Sequence, residues 1–139
     1  MGWTFYNSSG QQLRNTGTVL ATQAEMEAGS STAAFVTPGR THFHPGVAKS
    51  WVSISSTGVL ESPDYNVDDI TDTGTGDRTV VIDTDHSTNV YTITSNGPAD
   101  GTIEATADTR AVGSYRVRIY VNDTTLTDQP SQHATFGDL

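Results

Sequence analysis

Tyr115-Arg116-Val117-Arg118-Ile119-Tyr120-Val121 alternates between two kinds of side chain from end to end. In an extended chain Val117, Ile119 and Val121 face one way and Arg116, Arg118 and Tyr120 the other. That is the pattern of a strand with one buried and one wet face. Other short β-type runs lie at 50–54, 59–61, 65–70, 78–83, 90–94 and 102–107. Pro38-Gly39, Pro45-Gly46, Thr57-Gly58, the 72–77 segment with Gly74-Thr75-Gly76, and Asn96-Gly97-Pro98 punctuate them. Strands this short, separated by turn residues at this spacing, predict a mostly β protein, an antiparallel sandwich or barrel, of which the β-sandwich is preferred.

Composition agrees. Apolar residues are 34% of the 139, and Thr, Ser, Gly, Asn and Asp supply much of the rest. Thr suits a pleated surface facing water, and the others make turns. So little apolar material predicts a thin core, which packing between subunits would complete. A net charge of −9, with Lys49 the single lysine, repels a phosphate backbone, so no nucleic-acid partner is expected. The lack of cysteine rules out disulfides and thiolate metal sites. Met1-Gly2-Trp3-Thr4-Phe5-Tyr6 is too polar and short for a signal peptide, and Tyr6 stands where a myristoylation motif needs Ser or Thr. No apolar run approaches the ~20 residues of a membrane helix, so no membrane partner is expected.

The first forty residues read differently. Trp3 to Tyr6, the turn at Ser8 to Gly10 and Leu13 predict an opening hairpin or arm. Thr22-Gln23-Ala24-Glu25 is a capping box and Gly29 a natural stop, giving one helix of about two turns. A helix that short needs a surface to lean on. The expected organisation is an arm, hairpin and short helix over 1–40 and a β-sandwich domain over 41–139.

Four segments carry a family resemblance. The first is Ala21-Thr22-Gln23-Ala24-Glu25-Met26-Glu27-Ala28-Gly29 followed by Phe35-Val36-Thr37-Pro38. Next come Arg40-Thr41-His42-Phe43-His44-Pro45 through Lys49-Ser50-Trp51, and Tyr65-Asn66-Val67 through Asp72-Thr73-Gly74-Thr75-Gly76. The last runs from Tyr115 through Thr127-Asp128 to Phe136-Gly137-Asp138. Together they resemble small tail-fibre and virion structural proteins of bacteriophages. The resemblance implies a homotrimeric, jelly-roll-like β-sandwich without catalytic activity. It would sit on the tail or capsid surface of the virion, and in the host cytoplasm before assembly. Its partners would be its own copies and other virion proteins. A host-receptor tip that binds carbohydrate, and a capsid-decorating head fibre, are the alternatives.

On that basis Trp3, Phe5, Met26, Phe35 and Trp51 are expected at trimer contacts, and Tyr65, Tyr91 and Tyr120 are candidates for stacking on receptor sugars. His42 and His44 would project to one face of a strand, and three such pairs around a threefold axis would offer six nitrogens to a metal ion. The preferred reading has them packed at a subunit boundary ahead of a Pro45-Gly46 turn, with no cofactor. Asp83, Asp85, Ser87 and Asn89 have oxygens at calcium-like spacing, but Thr88 stands where the loop needs Gly and no Glu closes it, so a turn is preferred. Glu61, Glu104 and Asp108 are the carboxylates to test for glycosidase chemistry, although no catalytic motif accompanies them. Lys49 and Trp51 are expected on one face, the lysine stem lying across the indole.

Overall fold

The computed structural model describes residues 5–6, 9, 12–13, 19–31, 34–97, 109–121 and 124–139. The chain divides into two compact units, Met1–His44 and Pro45–Leu139.

In the first unit, β1 (Phe5–Tyr6) pairs antiparallel with β2 (Gln12–Leu13). Helix α1 (Gln23–Ala28) forms where the capping box places it. The Glu25 amide donates to the Thr22 hydroxyl at 3.2 Å, and the Thr22 amide to the Glu25 carboxylate at 2.8 Å. These bonds satisfy amides that the helix itself leaves open, and they hold the Glu25 carboxyl below its ordinary range. Gly29 closes the helix at φ 59°, a left-handed conformation that suits glycine.

The helix leans on a 3-10 helix, Pro38–Phe43. Arg40 ties the two together by donating from Nη1 to the Ala21 carbonyl. This contact places the unit boundary after His44, four residues beyond the expected one. It also corrects the expected strand through His42 and His44. Pro38 fixes φ at the first helical position, and the amides of Arg40 and His44 bond three residues back, to Thr37 and Thr41. His42 is helical and His44 caps the end, so the alternation of an extended chain does not apply to them.

The second unit contains β3 (Ser50–Ile54), β4 (Leu60–Tyr65), β5 (Val67–Gly74), β6 (Asp77–Ile82), β7 (Thr92–Asn96), β8 (Ser114–Arg118), β9 (Tyr120–Val121), β10 (Thr125–Leu126) and β11 (Ser131–Phe136). They form an antiparallel four-stranded sheet in the order β4-β3-β11-β7, an antiparallel three-stranded sheet β5-β6-β8, and the pair β9-β10. Val52 and Ile54 from the larger sheet meet Val67, Ile70, Val80, Ile82, Tyr115 and Val117 from the smaller in one core. Pro63 lies in β4, an edge strand, where its missing amide costs no ladder bond.

Three departures from simple alternation shape this unit. The expected strand over 65–70 breaks at Asn66, where the chain passes from β4 in one sheet to β5 in the other. Asn66 adopts φ 56°, a left-handed conformation asparagine tolerates better than most residues. Its side chain pins the corner: Nδ2 donates to the Lys49 carbonyl at 2.9 Å, and Oδ1 accepts from the Thr84 amide at 2.7 Å. Along β5 the inward residues Val67 and Ile70 are three apart, and an odd spacing would send one of them to solvent. A bulge between Val67 and Asp69 absorbs the extra residue and returns Ile70 to the core. The 115–121 run ends its first pairing at Arg118. The Ile119 amide bonds the Gly76 carbonyl at 2.8 Å, and the chain then continues as β9. Tyr115, Val117 and Ile119 are buried, as the alternation requires.

The strand β11 has no counterpart in the sequence expectations, although it lies between β3 and β7 in the larger sheet. Its inward residues are Ser131, His133 and Thr135, all buried. The strand expected at 90–94 forms two residues later, at Thr92–Asn96, and the one expected at 102–107 lies outside the described residues.

Candidate functional site

The interior behind the four-stranded sheet is partly polar, and its hydrogen bonds are made within the chain. The hydroxyls of Ser50 and Thr135 are 2.7 Å apart, and His86 Nε2 is 3.1 Å from the Thr135 hydroxyl. His133 Nδ1 is 2.9 Å from the Ser95 hydroxyl and its Nε2 2.9 Å from that of Ser131. Burial, reinforced by the Arg78 charge, pushes the His133 imidazole down to about 4, so it is neutral near pH 7. Arg78 is buried at the core's margin, where Nη1 donates to the Gln129 carbonyl and Nη2 to that of Ser56. Each polar group set inside the sheet without a partner would cost about 1–3 kcal/mol, so these pairings fix the strands' register and side-chain positions.

The opposite, outward face of this sheet carries the most developed surface feature. Pairing across β4, β3, β11 and β7 lines up Tyr65, Trp51, Ala134 and Thr94 in one row. Two residues along on β3, β11 and β7, and four along on β4, where the register shifts, Glu61, Ser53, Gln132 and Asn96 form a second row. Trp51 is 39% exposed and Tyr65 45%, large values for aromatic rings on a sheet. Along β3, β11 and β7 the rows border a groove of about 450 Å³ whose lining includes Trp51, Ser53, Thr94, Asn96, Gln132, His133 and Ala134, with Tyr65 and Glu61 beyond its edge on β4. A smaller cleft of about 240 Å³ involves Ser53, Glu61, Asn96, Pro130 and Gln132. The Ser53 hydroxyl donates to Glu61 Oε2 at 2.7 Å, which orients the carboxylate along the row. One row therefore offers ring faces, and the next offers amide, hydroxyl and carboxylate groups that donate and accept.

The expected site residues are scattered. Trp51 and Tyr65 are brought together as cross-strand neighbours. Trp51 does not share a face with Lys49: the indole faces outward, whereas Lys49 precedes β3 and is fully buried. Tyr91 is no surface stacking residue. It is buried, its ring stacks on His86 at 4.1 Å, and its hydroxyl lies 3.0 and 2.8 Å from the carbonyls of Ala111 and Ser114. That burial pushes its phenol up to about 12. Tyr120 is half-buried in the β9–β10 pair. Met26 is buried within its own unit, so its side chain is largely withdrawn from any contact with another copy. Phe35 is 65% exposed. Trp3 and the side chain of Phe5 lie outside the described residues, as do Glu104 and Asp108. The His42 ring rests against Phe43 at 4.0 Å between centroids. Among the described residues no group of three or more His, Asp or Glu is placed to hold a metal ion.

Sequence reasoning missed Gln132, Asn96 and Ser53 as members of one surface row. Their signal is the register of β11, a strand without apolar alternation. No protein-family model matches the chain, and no curated protein or solved structure matches it.

Proposed function

We propose that the chain is a structural protein of a bacteriophage virion, a tail-fibre-type module that assembles as a homotrimer and has no catalytic role. In this reading its two sheets form a jelly-roll-like sandwich. Its work is mechanical: copies that share buried surface resist unfolding, and their turns meet other virion proteins of the tail or capsid. The phage assignment rests on the resemblance of the four segments quoted above.

The observation that carries assembly is the apolar surface of the N-terminal unit. The Ala21 amide bonds the Phe35 carbonyl at 3.0 Å, and the Phe35 amide that of Val19 at 2.9 Å, so two short segments run side by side. Val19, Leu20, Phe35 and Val36 lie along them and are all exposed, Val19 63% and Phe35 65%, with Leu20 and Phe35 directly paired. Four large apolar side chains left in water along one short pair of segments mark a surface that a partner covers, and in this reading copies of the same chain supply it. Sedimentation equilibrium tests this directly. The expected mass is three times the 14.8 kDa of the single chain, falling to one chain in a Phe35→Asp, Val36→Asp double variant. A wild-type protein that sediments as a cooperatively melting monomer refutes the proposal.

A further inference from the structure

We infer that the outward face of the four-stranded sheet is a binding site for a neutral oligosaccharide of two or three units, with Trp51 and Tyr65 as the stacking platform and Gln132, Asn96 and Glu61 as the hydroxyl-reading groups. The inference does not depend on trimer formation, because every residue involved lies in one unit of a single chain.

Adjacent strands are about 4.8 Å apart and alternate residues about 7 Å, so the two rows span roughly 14 Å across the four strands and about 7 Å along β3, β11 and β7, with β4 bulged between Tyr65 and Glu61. That is about 100 Å², far below the ~800 Å² per partner of a stable protein interface. The groove of about 450 Å³ is instead within the range of small-molecule sites.

The chemistry narrows the occupant. A pyranose ring has an apolar C–H face and a rim of hydroxyls, each of which donates and accepts. Trp51 and Tyr65 are exposed neighbours that present ring surface for the first. Gln132 and Asn96, paired across β11 and β7, present two carboxamides to the second. Each carboxamide has both an acceptor and a donor, as two adjacent hydroxyls require. Glu61, oriented by Ser53, accepts from a further hydroxyl. A flat apolar ligand would leave this polar row unpaired, at a cost of about 1–3 kcal/mol for each buried group. Glu61 and the chain's net charge of −9 disfavour sialylated, sulfated or uronic-acid glycans.

The floor of the groove is prearranged. His133, on its inner side, is held by Ser95 and Ser131, and Ala134 is the smallest outward residue on β11. Little side-chain order then has to be established when a ligand arrives.

The test is a titration of the wild-type chain, followed by amide chemical shifts and by tryptophan fluorescence, with Trp3→Phe used to isolate the Trp51 signal. The probes are neutral trisaccharides built from glucose, galactose, mannose and N-acetylglucosamine, with sialyllactose and a heparin trisaccharide as the acidic arm. At least one neutral probe is expected to bind saturably, with shifts confined to β3, β4, β7 and β11. Trp51→Ala and Gln132→Ala should each weaken it by about tenfold or more without loss of the folded amide spectrum. Ala134→Arg, which fills the groove and leaves the aromatic pair in place, should abolish it. No saturable binding of any neutral probe overturns the inference, as does preference for an acidic probe or binding that survives Ala134→Arg. A monomeric wild type that still binds would refute the trimer alone.

Discussion

Acidifying the protein from pH 7.5 to 5 should cost it about 2 kcal/mol of folding stability through His133 alone. The imidazole is 3% exposed, flanked by the hydroxyls of Ser95 and Ser131, with the Tyr115 ring edge-on at 6.2 Å. Burial, and then the Arg78 charge, keep it neutral down to about pH 4, whereas an unfolded chain takes up the proton near 6.5. The folded value is the lower one, so the unfolded state binds more protons as pH falls. Stability is therefore full above about pH 7.5 and is lost progressively between 6.5 and 4. The gap corresponds to about 3 kcal/mol when complete and about 2 kcal/mol at pH 5. For a chain of this length 2 kcal/mol lowers the melting temperature by roughly 5–10 °C.

The assay is thermal unfolding at fixed protein concentration for wild type and His133→Gln, which keeps hydrogen-bonding groups but does not titrate. His86 is also lowered by burial and contributes with the same sign, but it is present in both proteins and cancels in the comparison. Asp77 and Glu25, both held below their ordinary values, contribute stability that is lost only at still lower pH. The two melting curves should converge as pH falls from 7.5 to 5. Curves that stay parallel would refute the assignment of a buried, neutral His133.

Two substitutions probe the frame of the second unit. Gly76 holds φ 64°, and a Cβ there would meet the Thr127 backbone nitrogen at 2.6 Å and the Ile119 carbonyl oxygen at 2.8 Å. Gly76→Ala should therefore destabilise by about 2–4 kcal/mol, read as a drop in the urea midpoint at unchanged slope; a shift under about 0.5 kcal/mol would show that the β9–β10 pair does not close on this turn. Thr135→Val keeps the side-chain shape but leaves Ser50 and His86 without their shared hydroxyl partner, at a cost of about 1–3 kcal/mol; a Ser50→Ala, Thr135→Val double variant should recover part of it, and strict additivity would argue against one network.

Sequence reading succeeded where a local rule acts on neighbouring residues. The capping box at Thr22 and Glu25, the Gly29 stop, the 50–54 strand and the inward set Tyr115, Val117 and Ile119 all follow from hydrogen-bond reach or alternation within a few residues. It failed where the inside is polar. Ser131, His133 and Thr135 point inward, and their burial is tolerable only because Ser50, His86 and Ser95 arrive from distant parts of the chain to bond them. The candidate site was half legible for the same reason. Trp51 and Tyr65 stand out as aromatics, but their adjacency and the row of Gln132, Asn96 and Glu61 depend on register across four strands.

A β-rich chain with one capped helix is written in local sequence, since turn residues and period-two alternation act over a few bonds. That 131–136 is a central strand, that Asn66 turns the chain between sheets, and that Trp51 faces water while Lys49 does not are outcomes of the assembled fold. Those outcomes depend on which segments pair. Pairing is settled by long-range hydrogen bonds and shared burial, which a short window of sequence does not contain.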